Sequence, residues 1–125
     1  MKKLLLVLLL VSAPAFAEWT RVGGNDILDS YADLATIRKK GNTVKMWVLS
    51  GYKAAQPFEG ETFLSWKAQE EYDCEEERTR KIYISFHSGN MGGGKVVYSN
   101  ADASGWAPVP PESITEALWK VACKP

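Results

Sequence analysis

The 125-residue sequence predicts an α+β fold: a single antiparallel β-sheet of about five or six strands, with a C-terminal α-helix packed on it and tied by one disulfide. Three observations carry this expectation. Several segments up to Tyr98 alternate side chains with a period of two and are separated by Gly- and Asn-rich turns. The last dozen residues change to helical spacing behind a capping signal. Two cysteines, Cys74 and Cys123, close a strand-like segment and the helix.

Trp19 to Val22 reads as a short first strand, closed by Gly23-Gly24-Asn25-Asp26. Tyr31 to Ile37 is the second, and Lys40-Gly41-Asn42 marks a turn. Thr43 to Tyr52 is the clearest strand. Val44, Met46 and Val48 alternate with Lys45, Trp47 and Leu49, and both faces are largely apolar, so this strand is expected in the middle of the sheet. Ala54 to Glu61, with Pro57 and Gly60, reads as a loop.

From Phe63 to Cys74, the residues Leu64, Trp66, Ala68, Tyr72 and Cys74 share one face; Ser65, Lys67, Gln69, Glu71 and Asp73 share the other. Glu70 is the exception on the apolar face. Glu75-Glu76-Glu77 reads as a charged turn. In Arg78 to His87, Ile82, Ile84 and Phe86 oppose Lys81, Tyr83, Ser85 and His87. A glycine-rich turn, Ser88 to Gly94, leads to the returning strand Lys95 to Tyr98, and Trp106 and Val109 occupy a proline-flanked extended segment. Ser113-Ile114-Thr115-Glu116 fits a capping box in which Ser113 and Glu116 satisfy each other's backbone donors. Ile114, Ala117, Leu118, Val121 and Ala122 form the stripe that docks on the sheet. Cys123 falls off this stripe, which predicts a frayed or bent last turn.

The N-terminus has a different origin. Lys2-Lys3, the apolar run Leu4 to Val11 and the small-x-small site Ala15-Phe16-Ala17 have the order of a cleavable signal peptide over residues 1–17. The apolar run is shorter than the roughly 20 residues of a membrane-spanning helix. Residues 18–125 then form one domain in an oxidising compartment, exported to the periplasm, the cell surface or the medium. No cysteine adjoins the cut, so neither a lipid anchor nor a membrane span is expected. The whole chain has a formal net charge of +0 at pH 7, and losing Lys2 and Lys3 leaves it slightly acidic, which gives no electrostatic attraction for nucleic acid. With only two cysteines in such a compartment, a structural bridge is favoured over free thiols or a redox pair. It would close a loop of about 50 residues, worth roughly 4 kcal/mol by chain entropy.

The ordered set Trp19, Tyr31-x-Asp33, Ile37, Val44, Met46-Trp47 and Tyr72-Asp73-Cys74, continued by Arg78, Arg80, Met91-Gly92-x-Gly94, Trp106, Pro111-x-Ser113 and Cys123, resembles the surface-adhesin protein E family. The resemblance runs over nearly all of residues 18–125. It implies an antiparallel sheet, a C-terminal helix and a Cys74–Cys123 disulfide. It also implies homodimerisation and attachment to host extracellular matrix or serum proteins.

Candidate chemistry is sparse. His87 is the only histidine, and with both cysteines assigned to the bridge no catalytic residues are expected. With so few ligands of the right type, neither metal nor cofactor is expected. Gly89-Asn90-Met91-Gly92-Gly93-Gly94-Lys95 lacks the helix that a phosphate loop opens, so hairpin glycines account for it better. Glu70, Glu71, Asp73 and Glu75 to Glu77 form an acidic cluster read as a solvated turn, with a Glu70–Arg80 ion pair expected across the strands. Arg78-Thr79-Arg80-Lys81 is a small basic patch, read as ordinary surface charge ahead of a ligand site. Of the five tryptophans, most are expected in the core. Trp47, facing away from Val44, Met46 and Val48, is the best candidate for an exposed binding or dimer surface. Tyr31, Tyr83, Arg78 and Lys81 are the residues expected to extend it. The function read from the sequence is a non-catalytic protein-binding module of the cell envelope, resembling an adhesin. The alternative is a soluble periplasmic module that binds or inhibits another envelope protein.

Overall fold

A computed structural model describes residues 18–124, so the leader expected over residues 1–17 lies outside the described residues. Seven strands and one helix follow in order: β1 (Thr20–Gly24), β2 (Leu28–Lys40), β3 (Thr43–Phe58), β4 (Glu61–Asp73), β5 (Arg78–His87), β6 (Val96–Asn100), β7 (Ala107–Pro108) and α1 (Ile114–Cys123). The sheet is antiparallel throughout and runs β1-β2-β3-β4-β5-β6 in chain order, with β7 pairing beside β6 on β5. Such a meander needs only hairpin connections. β2 and β3 meet at Lys40–Thr43 across Gly41-Asn42, with Gly41 at φ 61°. β3 and β4 meet at Phe58–Glu61 across Glu59-Gly60, both at positive φ. That pair of left-handed residues is the hairpin turn whose twist matches the strands.

Ala54 to Glu61 is therefore not a loop. β3 runs on to Phe58, and an irregularity between Gly51 and Gln56 absorbs the extra residues. Pro57 is tolerated because it stands next to the hairpin end.

Helix α1 crosses one face of the sheet and contacts β1 to β4. Ala32, Val44, Met46, Val48, Ala68 and Tyr72 meet Leu118, Trp119 and Ala122 in the core. At the far end of the same face, Phe63 stacks on Phe86 (4.4 Å between centroids), with Phe58 and Tyr98 edge-on or tilted around them. Cys74 and Cys123 are bonded, with Cα atoms 5.5 Å apart. Contrary to expectation, the helix stays regular through Cys123, and Lys124 N donates to Lys120 O. The buried stripe includes Trp119, which places Cys123 one turn further on the same flank. The cap also differs in detail. Glu116 N donates to Ser113 Oγ (3.0 Å), but the Glu116 carboxylate accepts from Glu112 N, not from Ser113 N.

A bulge in β5 changes the charge pairing. Tyr83 pairs with Gln69 and Lys81 with Glu70, so Ile82 is an extra residue opposite the continuous β4. An extra residue reverses which side chains share a face. Glu70 thus pairs with Lys81 (3.1 Å), not Arg80; Arg80 instead binds Glu71 (2.7 Å) and Arg78 binds Asp73 (2.9 Å). Glu70 is only 3% exposed, and Glu71 and Asp73 are buried too. The acidic cluster is therefore largely internal, and only Glu75 to Glu77 form the solvated turn. Tyr72 donates its hydroxyl to Glu70, and burial together with the Glu70 charge pushes the Tyr72 hydroxyl well above its ordinary pKa.

Candidate functional site: the face opposite the helix

With α1 on one side, the other face of the sheet is covered at its two ends, at one by the Trp106 ring over Arg78 and Arg80 and at the other by a turn. There the turn Ser88 to Lys95, which includes a single 3-10 turn at Asn90–Gly92, folds back over β3 and β4. Ser65 pins it by donating to Gly89 O (2.7 Å) and accepting from Gly92 N (2.9 Å). Gly92 has φ 75°, so the turn needs glycine for its conformation, and a methyl group there would stand 3.1 Å from Lys67 Cδ and push that flexible stem slightly aside. Further bonds close the turn on itself: Ser88 N on Lys95 O, Gly89 N on Gly93 O, Gly93 N on Asn90 O, and Lys95 N on Ser88 Oγ.

Beneath this turn, Ser85 Oγ and His87 Nε2 are 2.8 Å apart. Ser85 is 2% and His87 5% exposed, so the pair is shut away from any substrate. Burial first, and the nearby Lys67 charge second, hold the His87 pKa below its usual value. The unfolded chain therefore takes up a proton at higher pH than the folded one. This contribution to stability is complete above about pH 6.5 and is lost as pH falls through the lowered folded value. Denaturation midpoints are expected to fall on acidification below about pH 6.5, and His87→Gln should flatten that slope. A slope identical in the variant would contradict the assignment.

The open part of the face is organised by register. Asp33 pairs with Trp47, Trp47 with Gln69, and Gln69 with Tyr83. Trp19 stands one residue before Thr20, the partner of Ala32, and so flanks Asp33 on the other side. The result is a row Trp19, Asp33, Trp47, Gln69, Tyr83 that crosses β2 to β5 and ends on the residue ahead of β1. The Trp47 and Tyr83 rings meet edge to face at 5.7 Å. Tyr31 lies in the next row, paired with Leu49.

The β2 register slips between Asp33 and Arg38, and that stretch is stitched by its own side chains. Thr36 donates its hydroxyl to Asp33 O (2.6 Å) and accepts from Trp47 N (3.0 Å), while Asp33 Oδ1 accepts from Ala35 N (3.2 Å). The bulge leaves a depression of about 260 Å³ lined by Trp19, Asp33, Thr36, Trp47 and Lys67.

The sequence-derived surface residues thus divide. Trp47 and Tyr83 are in contact in this row, with Tyr31 beside it. Arg78 lies at the far end of the same face. Its guanidinium stands 4.8 Å from the Trp106 ring centroid, and that of Arg80 stands 4.6 Å away. Arg78 is also bonded to Asp73, whose carboxyl the Glu76 amide, then Arg78 and the Glu75 amide, hold below its usual pKa. Lys81 is on the helix side, where it meets Glu70 and approaches the Trp66 ring at 5.4 Å. The β5 bulge separates it from the others. Trp119 is buried, and Trp19, Trp47, Trp66 and Trp106 are all partly buried; of these four, Trp66 packs against the core. Trp19 and Asp33 were not singled out as site residues, although period-two alternation already places Asp33 on the face of Tyr31. Among the described residues, no group of three or more His, Cys, Asp or Glu side chains is arranged to hold a metal ion, and no helix is long and apolar enough to cross a membrane.

A family model described as surface-adhesin protein E matches residues 19–124. Among solved structures, the chain is similar to Haemophilus influenzae protein E, with TM-score 0.65, 12% sequence identity, and coverage of 87% of this chain and 86% of that one. A second crystal form of that protein gives TM-score 0.67 at 12% identity, covering 87% and 89%. At that identity the structural likeness concerns the fold. Among curated proteins, no sequence matches this chain.

Proposed function

The chain belongs to the surface-adhesin protein E family, and from that premise we propose that it is an exported, non-catalytic module that holds a host matrix or serum protein on the open face of its sheet. The observation that carries this reading is the row Trp19, Asp33, Trp47, Gln69, Tyr83, which the helix does not cover and in which all but the buried Asp33 are partly exposed. Partly exposed aromatic side chains held by a rigid sheet bury area on contact at little entropic cost, which is why aromatics dominate binding surfaces. Export rests on the leader expected over residues 1–17. Self-association, which the family resemblance implies, belongs to the same proposal. Sedimentation velocity reads it directly, and a single monomeric species at all accessible concentrations would remove it.

Location tests the reading as a whole. With a C-terminal tag, a protease that cannot cross the outer membrane should cut the tag on intact cells. Cutting only after the outer membrane is opened would contradict surface display and move the partner into the periplasm.

A further inference from the structure

The open row has a chemistry that a flat protein contact does not require. Rings (Trp19, Trp47, Tyr83) alternate with planar polar groups (Asp33, Gln69) along it, and Lys67 borders the depression. Among the described residues, the Gln69 amide, the Tyr83 hydroxyl and the Lys67 ammonium have no hydrogen-bonding or ionic partner within the chain. Asp33 is only 7% exposed and commits Oδ1 to Ala35 N, so its carboxylate meets the depression by one edge. None of these is a buried unsatisfied group, so each free polar end reaches solvent. The charges that border the depression, Asp33 and Lys67, are opposite, so neither a cation nor an anion is selected by net field.

We propose that this row is a carbohydrate subsite that binds neutral sugar units of a glycan carried by the partner protein. A pyranose ring presents an apolar face of C–H bonds and an equatorial rim of hydroxyls. The indole and phenol rings take the first; Asp33 as acceptor, Lys67 as donor and Gln69 as both take the second. A shallow, rigid, electrically balanced groove suits such a ligand better than it suits a single charged side chain. The inference rests on the protein-binding reading only in placing the glycan on a protein.

The test uses the exported protein and two kinds of probe. Neutral oligosaccharides of hexose and N-acetylhexosamine are titrated while tryptophan fluorescence is followed. A matrix or serum glycoprotein is then assayed before and after enzymatic removal of its glycans. At least one oligosaccharide is expected to bind, and Trp47→Ala and Asp33→Asn should each weaken it about tenfold or more. Asparagine keeps the Oδ1 acceptor for Ala35 N, so Asp33→Asn leaves the bulge intact, and Lys45→Ala serves as a surface control. Deglycosylation should remove glycoprotein binding. Absence of oligosaccharide binding, or indifference to both substitutions, would overturn the subsite. Undiminished glycoprotein binding after deglycosylation would also overturn it while leaving the protein-binding reading intact. Oligosaccharide binding with no glycoprotein bound in either form would support the subsite and overturn that reading instead.

Discussion

Replacing Cys74 and Cys123 together by serine is expected to lower the stability of the exported protein by roughly 4 kcal/mol. The bridge joins residues separated by 49 positions, and a loop of that length restricts the unfolded chain strongly. It also joins the end of β4 to the end of the only helix among the described residues. Helix α1 has ten residues, too few to be stable in water without docking. Urea denaturation reads the effect as a large drop in midpoint with a somewhat steeper denaturant dependence, because the unbridged unfolded chain is more expanded. An unchanged midpoint, or a native thiol titration that finds two free cysteines, would contradict it.

Trp119→Ala should cost about 3–5 kcal/mol, the range for truncating a buried tryptophan. The indole is 3% exposed, lies between the helix and the sheet, and donates Nε1 to Asp73 O at 2.9 Å. Its removal leaves a cavity and takes one donor from the Asp73 carbonyl, one residue from the disulfide. Trp119→Phe separates the two contributions: most of the packing stays and the hydrogen bond goes, for an expected loss nearer to 1–2 kcal/mol. Equal losses in the two variants would show that the hydrogen bond, not the packing, carries the effect.

Much of the fold was legible because its strands obey a simple period. The central position of β3 followed from apolar residues on both faces, and the helix start from Ser113. What escaped was local departure from that period. Nothing in Arg80-Lys81-Ile82-Tyr83 marks Ile82 as a bulge, since each residue suits a strand. That one insertion moved Lys81 to the helix side and exchanged the partner of Glu70. Pro57 and Gly60 looked like loop residues, because a proline beside a tight hairpin and a proline in a loop read alike in sequence. The candidate site was half legible. Alternation alone placed Trp47 on the open face. The meeting of Trp19, Asp33 and Trp47 depends on register between three strands and on the β2 bulge, both of which are fixed by tertiary contacts.

The central claim, that the face opposite the helix is the binding face, is tested most directly by the affinity of a captured matrix or serum protein for two single variants. Trp47→Ala removes a ring from the open row, whereas Lys81→Ala changes the helix side. The account expects the first to weaken binding about tenfold or more, which is 1.4 kcal/mol, and the second to leave it unchanged. Full affinity in Trp47→Ala with loss in Lys81→Ala would contradict it and place the partner on the other face.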